Sequence, residues 1–344
     1  MAVTPRVTVL GSMNMDISVT VPRLPGPGET VLGSAARFAP GGKGGNQAVA
    51  AARLGARVTM AGCVGGDDFG SRLTGALRAE SVDTSAVRVV PEVASGLALI
   101  TVDTDGENTI TVAPGANQAV AEPEVSAACA HPGDVLVISA EIPVTAIAAA
   151  LARARAGSTV CLLNLAPAPP EAAGLLAGGV DWLVVNEPEA AGVLGRPVSG
   201  LAEAQAAAAD LAVSGPAGTH AEARAGSGPE PGARAGSGPG PGARARPRHV
   251  VVTAGAEGAA FAGPDGAGVV TGFPVRAVDS VGAGDTFVGA LAVALAMGAP
   301  PQAAVRAACA AAAVATTRRG TQEAMPRPAD VRARTGVTWP PAAG

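Results

Sequence analysis

The chain has 344 residues, of which 48% are hydrophobic, 15% charged and 2% aromatic, and its formal net charge is -4 at pH 7. This length is enough to bury a sizeable core, while the negative charge and the scarce aromatic side chains argue against a nucleic-acid partner. The sequence contains no charge-free apolar run of about 18 residues, so no membrane span is predicted. The first residues lack the apolar core of a signal peptide. The scattered cysteines show no metal-binding or disulfide spacing, which favours a reducing cytoplasm; they are Cys63, Cys129, Cys161 and Cys309.

Short β-branched runs alternate with alanine-rich helical segments along most of the chain. Strands are predicted at 6–11, 57–65, 134–139, 159–165, 182–186 and 249–255, and helices at 46–55, 144–156 and 201–213. Nearly continuous apolar strands separated by helices are typical of a parallel sheet covered on both faces. We therefore expect an α/β fold of this kind.

Two segments, 16–40 and 96–115, break the alternation and have the pattern of antiparallel ribbons, the second with Asp105-Gly106 at a hairpin tip. Because no helices are available to cover them, we predict that they form a small lid beside the main sheet. Apolar lid strands would leave unpaired edges, so we expect a homodimer joined through the lids.

The segment 214–248 is rich in Gly, Pro, Ala and Arg and contains the repeated decapeptides ARAGSGPEPG and ARAGSGPGPG. Such a composition cannot bury enough apolar surface to order itself, so we predict a disordered surface insertion. A basic interaction tail is the alternative, although few charges support it.

The sequence Gly282-Ala283-Gly284-Asp285 stands at the start of an apolar helix predicted to begin near Gly284. The first N–H groups of a helix have no internal partners and its dipole favours negative charge there, while small residues let a ligand approach the backbone. We therefore predict an anion hole for a phosphoryl group. Asp285, kept ionised by the dipole, would act as a base that takes a proton from an alcohol. A plain helix cap is the alternative; the absence of GxxxxGK[ST] and of a strand–GxGxxG–helix unit argues against a P-loop NTPase and a Rossmann dehydrogenase.

A second glycine-rich turn at 40–55 opens a helix with Lys43 and Asn46, and Asn14 and Asp16 follow the first predicted strand. Ligands of open α/β sheets bind beyond the carboxyl ends of the strands. Carboxylate and amide groups at that edge suit a polyhydroxylated ligand. Ordinary turn chemistry of Asn and Asp is the alternative.

The motifs GSMNMD, PGGKGGNQAVAAARLG, NLAPAP, NEPEA, VTAGAEG and DSVGAGDTFVGAL occur in this order. Together they resemble the ribokinase-like carbohydrate kinase family, from about residue 6 to residue 330 outside the insertion. The resemblance implies a single domain over 1–340, a doubly wound αβα sandwich with a small β-sheet lid, that phosphorylates a sugar with ATP and Mg²⁺ in the cytoplasm. NMD, GGKGGN, LNLAPAP and RRGTQ favour D-ribose, converted to D-ribose 5-phosphate. Alternatives are another member acting on deoxyribose, a ketohexose or a nucleoside, and a non-catalytic sugar-binding protein on the same scaffold.

The resemblance also assigns roles to individual residues. Asp285 would be the catalytic base, with the backbone of Gly282, Ala283 and Gly284 as the anion hole. The sugar would be held, together with Asp285, by Asn14, Met15, Asp16, Gly42, Lys43, Gly44, Asn46 and Glu141. The nucleotide site would consist of Asn186 and Glu189, which organise Mg²⁺ and phosphate, and of Thr253, Ala254, Gly255, Ala256, Gly258, Gly284 and Cys309. A monovalent cation, usually K⁺, would be bound by Asp279, Val281, Ala315, Arg318, Gly320 and Ala324.

Some of these residues also have a plain structural interpretation. Glu141 could be a solvated acid at a helix entry, Asn186 a helix cap, and Asp279 a turn residue. The chain departs from the family pattern at Ser280, Ala254, Cys309 and Ala324, which puts the adenine contacts and the cation affinity in question.

Overall fold

The computed structural model describes residues 4–130, 133–157, 159–214 and 247–339. The segment predicted as a disordered insertion, 214–248, lies almost entirely outside the described residues. Within the described ranges, no helix combines the length and the hydropathy needed to cross a bilayer.

Nine strands form the main sheet, in the order β13-β12-β11-β10-β9-β8-β1-β4-β5. They are β1 (Arg6–Leu10), β4 (Arg57–Gly65), β5 (Asp83–Val90), β8 (Val135–Ser139), β9 (Val160–Asn164), β10 (Trp182–Asn186), β11 (His249–Thr253), β12 (Gly258–Gly263) and β13 (Gly266–Thr271). The neighbouring strands in the part of this order that runs β11-β10-β9-β8-β1-β4-β5 are parallel, as predicted. The sheet is not wholly parallel, however, because β12 and β13 add an antiparallel edge. Only Pro264 and Asp265 join them, too few residues for the crossover that a parallel pair needs.

Helices cover both faces of this sheet. They are α1 (Lys43–Arg53), α2 (Asp68–Ala79), α3 (Glu122–Ala130), α4 (Val144–Ala156), α5 (Ala172–Ala177), α6 (Glu187–Leu194), α7 (Gly200–Ser214), α8 (Ala283–Ala296), α9 (Pro301–Ala315) and α10 (Pro328–Thr335). Buried side chains of β8 alternate between two cores: Val135 and Val137 pack with α1, α2, α8, α9 and α10, whereas Leu136 and Ile138 pack with α3 to α7. This period of two is what a strand buried on both faces requires. The fold is therefore the predicted doubly wound αβα sandwich.

A separate sheet contains four strands in the order β3-β2-β6-β7. They are β2 (Asn14–Thr20), β3 (Arg37–Gly41), β6 (Gly96–Val102) and β7 (Asn108–Ala113). The outer pairs are antiparallel, and the central strands β2 and β6 are parallel. Large apolar side chains stand on it more than two-fifths exposed: Phe38, Leu99, Ile110 and Val112. This small sheet thus carries an unusual amount of exposed apolar surface.

Candidate active site

The candidate residues gather at one edge of the main sheet, where its parallel strands end. Asn164, Asn186 and Thr253 are the last residues of β9, β10 and β11, and Asn14 begins β2 shortly after β1 ends. Helix α1 begins nearby, since Gly45 N–H donates to Ser12 O at 2.9 Å. This is the edge at which open α/β sheets bind ligands.

The predicted anion-hole segment forms the N-terminus of α8. Gly282 caps the helix with φ +77°, in the left-handed region that favours glycine. The N–H of Ala283 donates to Ser280 O at 3.2 Å, so one of the three predicted donors is engaged in a turn. A Cβ built at Gly284 would meet no atom within 4 Å. There is therefore open space beside Gly284 in the first turn of the helix, where an anion is favoured.

Asp285 stands in the first turn of α8, and amide groups of α1 hold both of its carboxylate oxygens. Asn46 Nδ2 donates to Oδ2 at 2.9 Å and Gln47 Nε2 donates to Oδ1 at 3.1 Å. Burial raises the pKa of Asp285 above its ordinary value, against the opposing effects of Lys43 and of these hydrogen bonds. Desolvation of the carboxylate therefore opposes the helix dipole, which favours the ionised form.

A polar cluster lies between the small sheet and α1. Asn14 is 3% exposed, and its Oδ1 accepts from Asn117 Nδ2 at 2.7 Å. Glu141 accepts from Ser12 Oγ at 2.6 Å and lies 3.8 Å from Lys43 Nζ, so it is a partnered group and not a solvated helix-entry acid.

Two ionisable groups of this cluster have shifted pKa values. Burial, with the charges of Glu141 and Asp285, raises the pKa of Asp16 to about 7. Although burial opposes its charge, the carboxylates of Asp285, Glu141, Glu189 and Asp16 raise the pKa of Lys43. The cluster therefore combines one stable cation, Lys43, with one carboxyl group, Asp16, that titrates nearer to neutrality than usual.

Glycines let the backbone pass close to this cluster. A Cβ on Gly41 would lie 2.2 Å from Asp16 Oδ2, and one on Gly42, whose φ is +82°, would lie 2.5 Å from Asn14 N. Gly44 lies directly against the backbone of Gly11. Met15, in contrast, is fully buried in the core.

Two cavities meet beside Asp285. One of about 170 Å³ is lined by Lys43, Asn164, Asn186, Glu189 and Asp285, among other residues. One of about 410 Å³ is lined by Gly255, Ala256, Gly258, Phe273 and Cys309, also among others. Thr253 and Gly284 line both cavities. A ligand in the larger cavity could therefore extend past the N-terminus of α8 to Asp285.

Two of the predicted nucleotide-site residues, Ala254 and Cys309, are buried and differ in their access to the larger cavity. Ala254 is 4% exposed, packs in the core and does not line the larger cavity. Cys309 lines that cavity but is 7% exposed, and burial raises the pKa of its thiol to about 12. Cys309 therefore contributes an uncharged, weakly polar wall.

Asn186 and Glu189 form a capping box at the start of α6. Glu189 N–H donates to Asn186 Oδ1, and Asn186 N–H donates to Glu189 Oε2, both at 2.9 Å. The interpretation of Asn186 as a helix cap is therefore confirmed. The same two residues also line the smaller cavity, where burial raises the pKa of Glu189.

Asp279 joins the two loops predicted to bind a cation. Its Oδ1 accepts from Val281 N–H and its Oδ2 from Gly320 N–H, each at 3.0 Å. In the second loop, Ala315 O accepts from Arg318 N–H at 3.3 Å, and the Arg318 side chain pairs with Asp330 at 2.7 Å. Ala324 is buried at 1% exposure.

Sequence reasoning missed the amide groups that surround the proposed functional side chains. These are Gln47 and Asn164 behind Asp285, Asn117 behind Asn14, and Gln322, whose Nε2 donates to Asn46 Oδ1 at 3.1 Å. A usable signal existed for two of them, since Gln47 directly follows Asn46 and Asn164 interrupts an otherwise apolar strand. Gln322 ends the motif RRGTQ, although no role was assigned to it, and nothing local distinguishes Asn117.

The sequence profile of the pfkB family carbohydrate kinases matches residues 4–219 and 240–328. A ribokinase of Haemophilus influenzae is 34% identical over 93% of this chain and 94% of its own. A deoxyribokinase of Salmonella typhi is 30% identical over 93% and 95%. The solved structure of Arabidopsis thaliana ribokinase complexed with ribose and ATP is 25% identical with a TM-score of 0.78, over 97% of this chain and 99% of that one. The chain belongs to the pfkB family of carbohydrate kinases.

Within that family, its relatives and structural neighbours identify it as a sugar kinase with the ribokinase-like fold.

Proposed function

We propose that this sugar kinase transfers the γ-phosphoryl group of ATP to D-ribose, giving D-ribose 5-phosphate. The observation that carries the proposal is the position of Asp285, between the polar cluster of Asp16 and Lys43 and the two joined cavities. Relatives named ribokinase, and the complex of one with ribose and ATP, support the choice of substrates. A second candidate, 2-deoxyribose, is favoured by the deoxyribokinase relatives.

Asp285 would remove the proton of the primary hydroxyl as its oxygen attacks phosphorus. The sugar would bind through Asn14, Asp16, Asn46 and Glu141, whose carboxylate and amide groups match several hydroxyls. The developing negative charge would fall over the N-terminus of α8 and near Lys43, both of which favour it. The triphosphate would run from the larger cavity past Gly284.

A magnesium ion and a monovalent cation fit the residues present. No group of three His, Cys, Asp or Glu side chains that could hold a metal occurs in the described part of the chain. Magnesium would instead be bound by the phosphates, with Glu189 organising the water or phosphate around it. Bound there, it would neutralise phosphate charge. Potassium suits the loops joined by Asp279, where backbone oxygens of Ala315, Arg318 and Gly320 would be its ligands.

The small sheet would act as a lid over the sugar and, through its exposed apolar face, as the contact between two subunits. Closing a lid excludes water and limits wasteful hydrolysis of ATP. Phe38 and Leu99, which both lie opposite Ile17 and therefore share one face, give that face the apolar character of a subunit contact. Gel filtration showing only monomer would contradict the dimer.

The first test is an ADP-release assay with ATP and Mg²⁺, comparing ribose, 2-deoxyribose, fructose and adenosine in K⁺ and in Na⁺. We expect ribose to give the highest kcat/KM, and K⁺ to support higher turnover than Na⁺. A preference for 2-deoxyribose would retain the kinase and reject the ribose assignment. Absence of turnover with every acceptor, in protein that still binds ribose, would support a sugar-binding protein instead.

The nucleotide base is expected to be selected loosely. Besides backbone, the larger cavity offers hydroxyls of Thr253, Ser280 and Thr316 and the thiol of Cys309, but no charged or amide side chain among its lining residues. Strong base discrimination requires buried polar groups that a wrong base leaves unpaired. We therefore expect kcat/KM for GTP to be within about tenfold of that for ATP. A discrimination of a thousandfold or more would contradict this, and Cys309→Asn should increase discrimination by adding an amide.

A further inference from the structure

Gln47 is a buried polar side chain beside Asp285 to which the proposed function gives no role. It lies on α1 directly after Asn46 and is fully buried. Its Nε2 donates to Asp285 Oδ1 at 3.1 Å and to Asn164 Oδ1 at 2.9 Å. Its Oε1 is buried and has no hydrogen-bond partner among the described residues. Burial of an unpaired carbonyl is unfavourable, so the side chain does not serve core packing alone.

The orientation of the Gln47 amide is fixed by its surroundings. Turning it over would direct Oε1 at two other acceptors, Asn164 Oδ1 and Asp285 Oδ1. Asn164 is oriented in turn, because its Nδ2 donates to the backbone oxygen of Val184 in β10 at 3.4 Å. Hydrogen bonds through the amides of Gln47 and Asn164 thus connect Asp285 Oδ1 to the backbone of β10.

The other oxygen of Asp285 has a different kind of partner. Asn46 Nδ2 donates to Oδ2, while Asn46 also belongs to the polar cluster proposed to bind the sugar. A sugar hydroxyl that reaches Asp285 would compete with Asn46 for Oδ2. Gln47 contacts the other carboxylate oxygen, and its Nε2 donates to Asn164 Oδ1 and to Asp285 Oδ1.

Close helix packing sets the distance between Gln47 and Asp285. Gly289 lies one turn after Asp285 on α8, and a Cβ there would be 2.8 Å from the backbone oxygen of Gln47 and 2.7 Å from Ala50 Cβ. The backbones of α1 and α8 are therefore in contact beside the hydrogen bond. The helix that carries Gln47 is therefore held directly against the helix that carries Asp285.

We propose that Gln47, oriented by Asn164, is a positioning residue that holds Oδ1 of Asp285 so that Oδ2 faces the sugar hydroxyl. This inference rests on the proposed function, in which Asp285 is the base. Gln47 is fully buried and lines neither of the two cavities, so it would act only through Asp285.

Kinetics of Gln47→Met, which keeps the length and loses the donor, test this role. We expect kcat to fall about 30-fold, which is less than the loss expected when a general base is removed because Asp285 itself remains, and KM for ribose to change less than threefold. The acidic limb of the pH profile of kcat should move to higher pH in the variant. The hydrogen bond from Gln47 lowers the pKa of Asp285 in the wild type, and the variant lacks it. Lys43, Glu141 and Asp16 also face this group and are unchanged in the variant.

Two further variants distinguish a loss of Asp285 positioning from a general loss of protein stability. Val49→Ala, a buried apolar change on the same helix, should lower Tm and leave the acidic limb in place. Asn164→Leu should shift the limb in the same direction as Gln47→Met, and it serves as the test if Gln47→Met does not fold.

Adding Gln47→Met to Asp285→Asn should change the residual rate less than twofold, since Gln47 would have no base left to position. A further 30-fold loss in that double variant would overturn the inference. So would a wild-type kcat, or an unmoved acidic limb, in Gln47→Met. If Asp285→Asn alone keeps near-normal turnover, the proposed function fails; if Asp285→Asn is inactive and Gln47→Met is not impaired, only the positioning role fails.

Discussion

Asp285→Asn is expected to lower kcat by about 10³-fold, the middle of the range for removal of a general base. Asparagine keeps the size of the side chain but cannot accept the hydroxyl proton. Its amide would also oppose the donors of Asn46 or Gln47, which now point at two carboxylate oxygens. The measurement is kcat and KM for ribose with ATP at saturation, from pH 6 to pH 9.

Binding controls make the result specific to the proton transfer. Ribose affinity by calorimetry should change far less than kcat, and Tm should stay close to the wild-type value. A variant that retains more than a tenth of wild-type kcat would show that Asp285 is not the base.

Asp16→Asn is expected to raise KM for ribose about 100-fold. Asp16 would accept hydrogen bonds from two hydroxyls, and a hydrogen bond to a charged group contributes roughly 1.5–3 kcal/mol. Asparagine supplies one acceptor and no charge. Because Asp16 is remote from phosphorus in the proposed mechanism, kcat at saturating sugar should fall much less than KM rises.

Ribose binding should also depend on pH through Asp16. Its pKa is raised to about 7 in the free protein, and the ionised form is the one that accepts two hydroxyls. The Kd for ribose should therefore fall about tenfold between pH 6 and pH 8 by proton linkage. Asp16→Asn should abolish most of this dependence, whereas Asp68→Asn, which removes the same charge at an exposed position on α2, should not. A pH-independent Kd in the wild type would contradict the assignment.

The same shift predicts the effect of Asp16 on stability. A carboxyl group whose folded pKa lies above its unfolded value contributes stability below about pH 4, and that contribution is lost as pH rises through 7. The free energy of unfolding of Asp16→Asn should therefore match the wild type near pH 4 and exceed it by about 2 kcal/mol at pH 8, after discounting for partial exposure. Urea unfolding at the two pH values measures the difference. Equal free energies of unfolding for the wild type and Asp16→Asn at pH 8 would mean that burial of the ionised Asp16 carboxylate does not destabilise the folded protein.

Local patterns were enough to predict most of the sandwich. The strands at 57–65 and 182–186 and the helix at 144–156 have the predicted bounds, because a short, largely apolar run and a 3.6-residue period each favour one backbone conformation. The glycine-rich starts of α1 and α8 were also evident, since Gly and Pro mark turns by their own backbone preferences. The edge strands β12 and β13 were missed because they are short and rich in Gly and Ala, which have low strand propensity.

The sequence alone determined the fold class, the family and the identity of the candidate base, because these follow from local periodicity and from motifs only a few residues long. Only the tertiary structure decided which groups surround Asp285. Gln47 lies 238 residues away from it in sequence and reaches it because Gly289 lets α1 and α8 touch. The upward pKa shifts of Asp16 and Asp285 were likewise decided by burial, which depends on the whole fold and not on neighbouring residues in the chain.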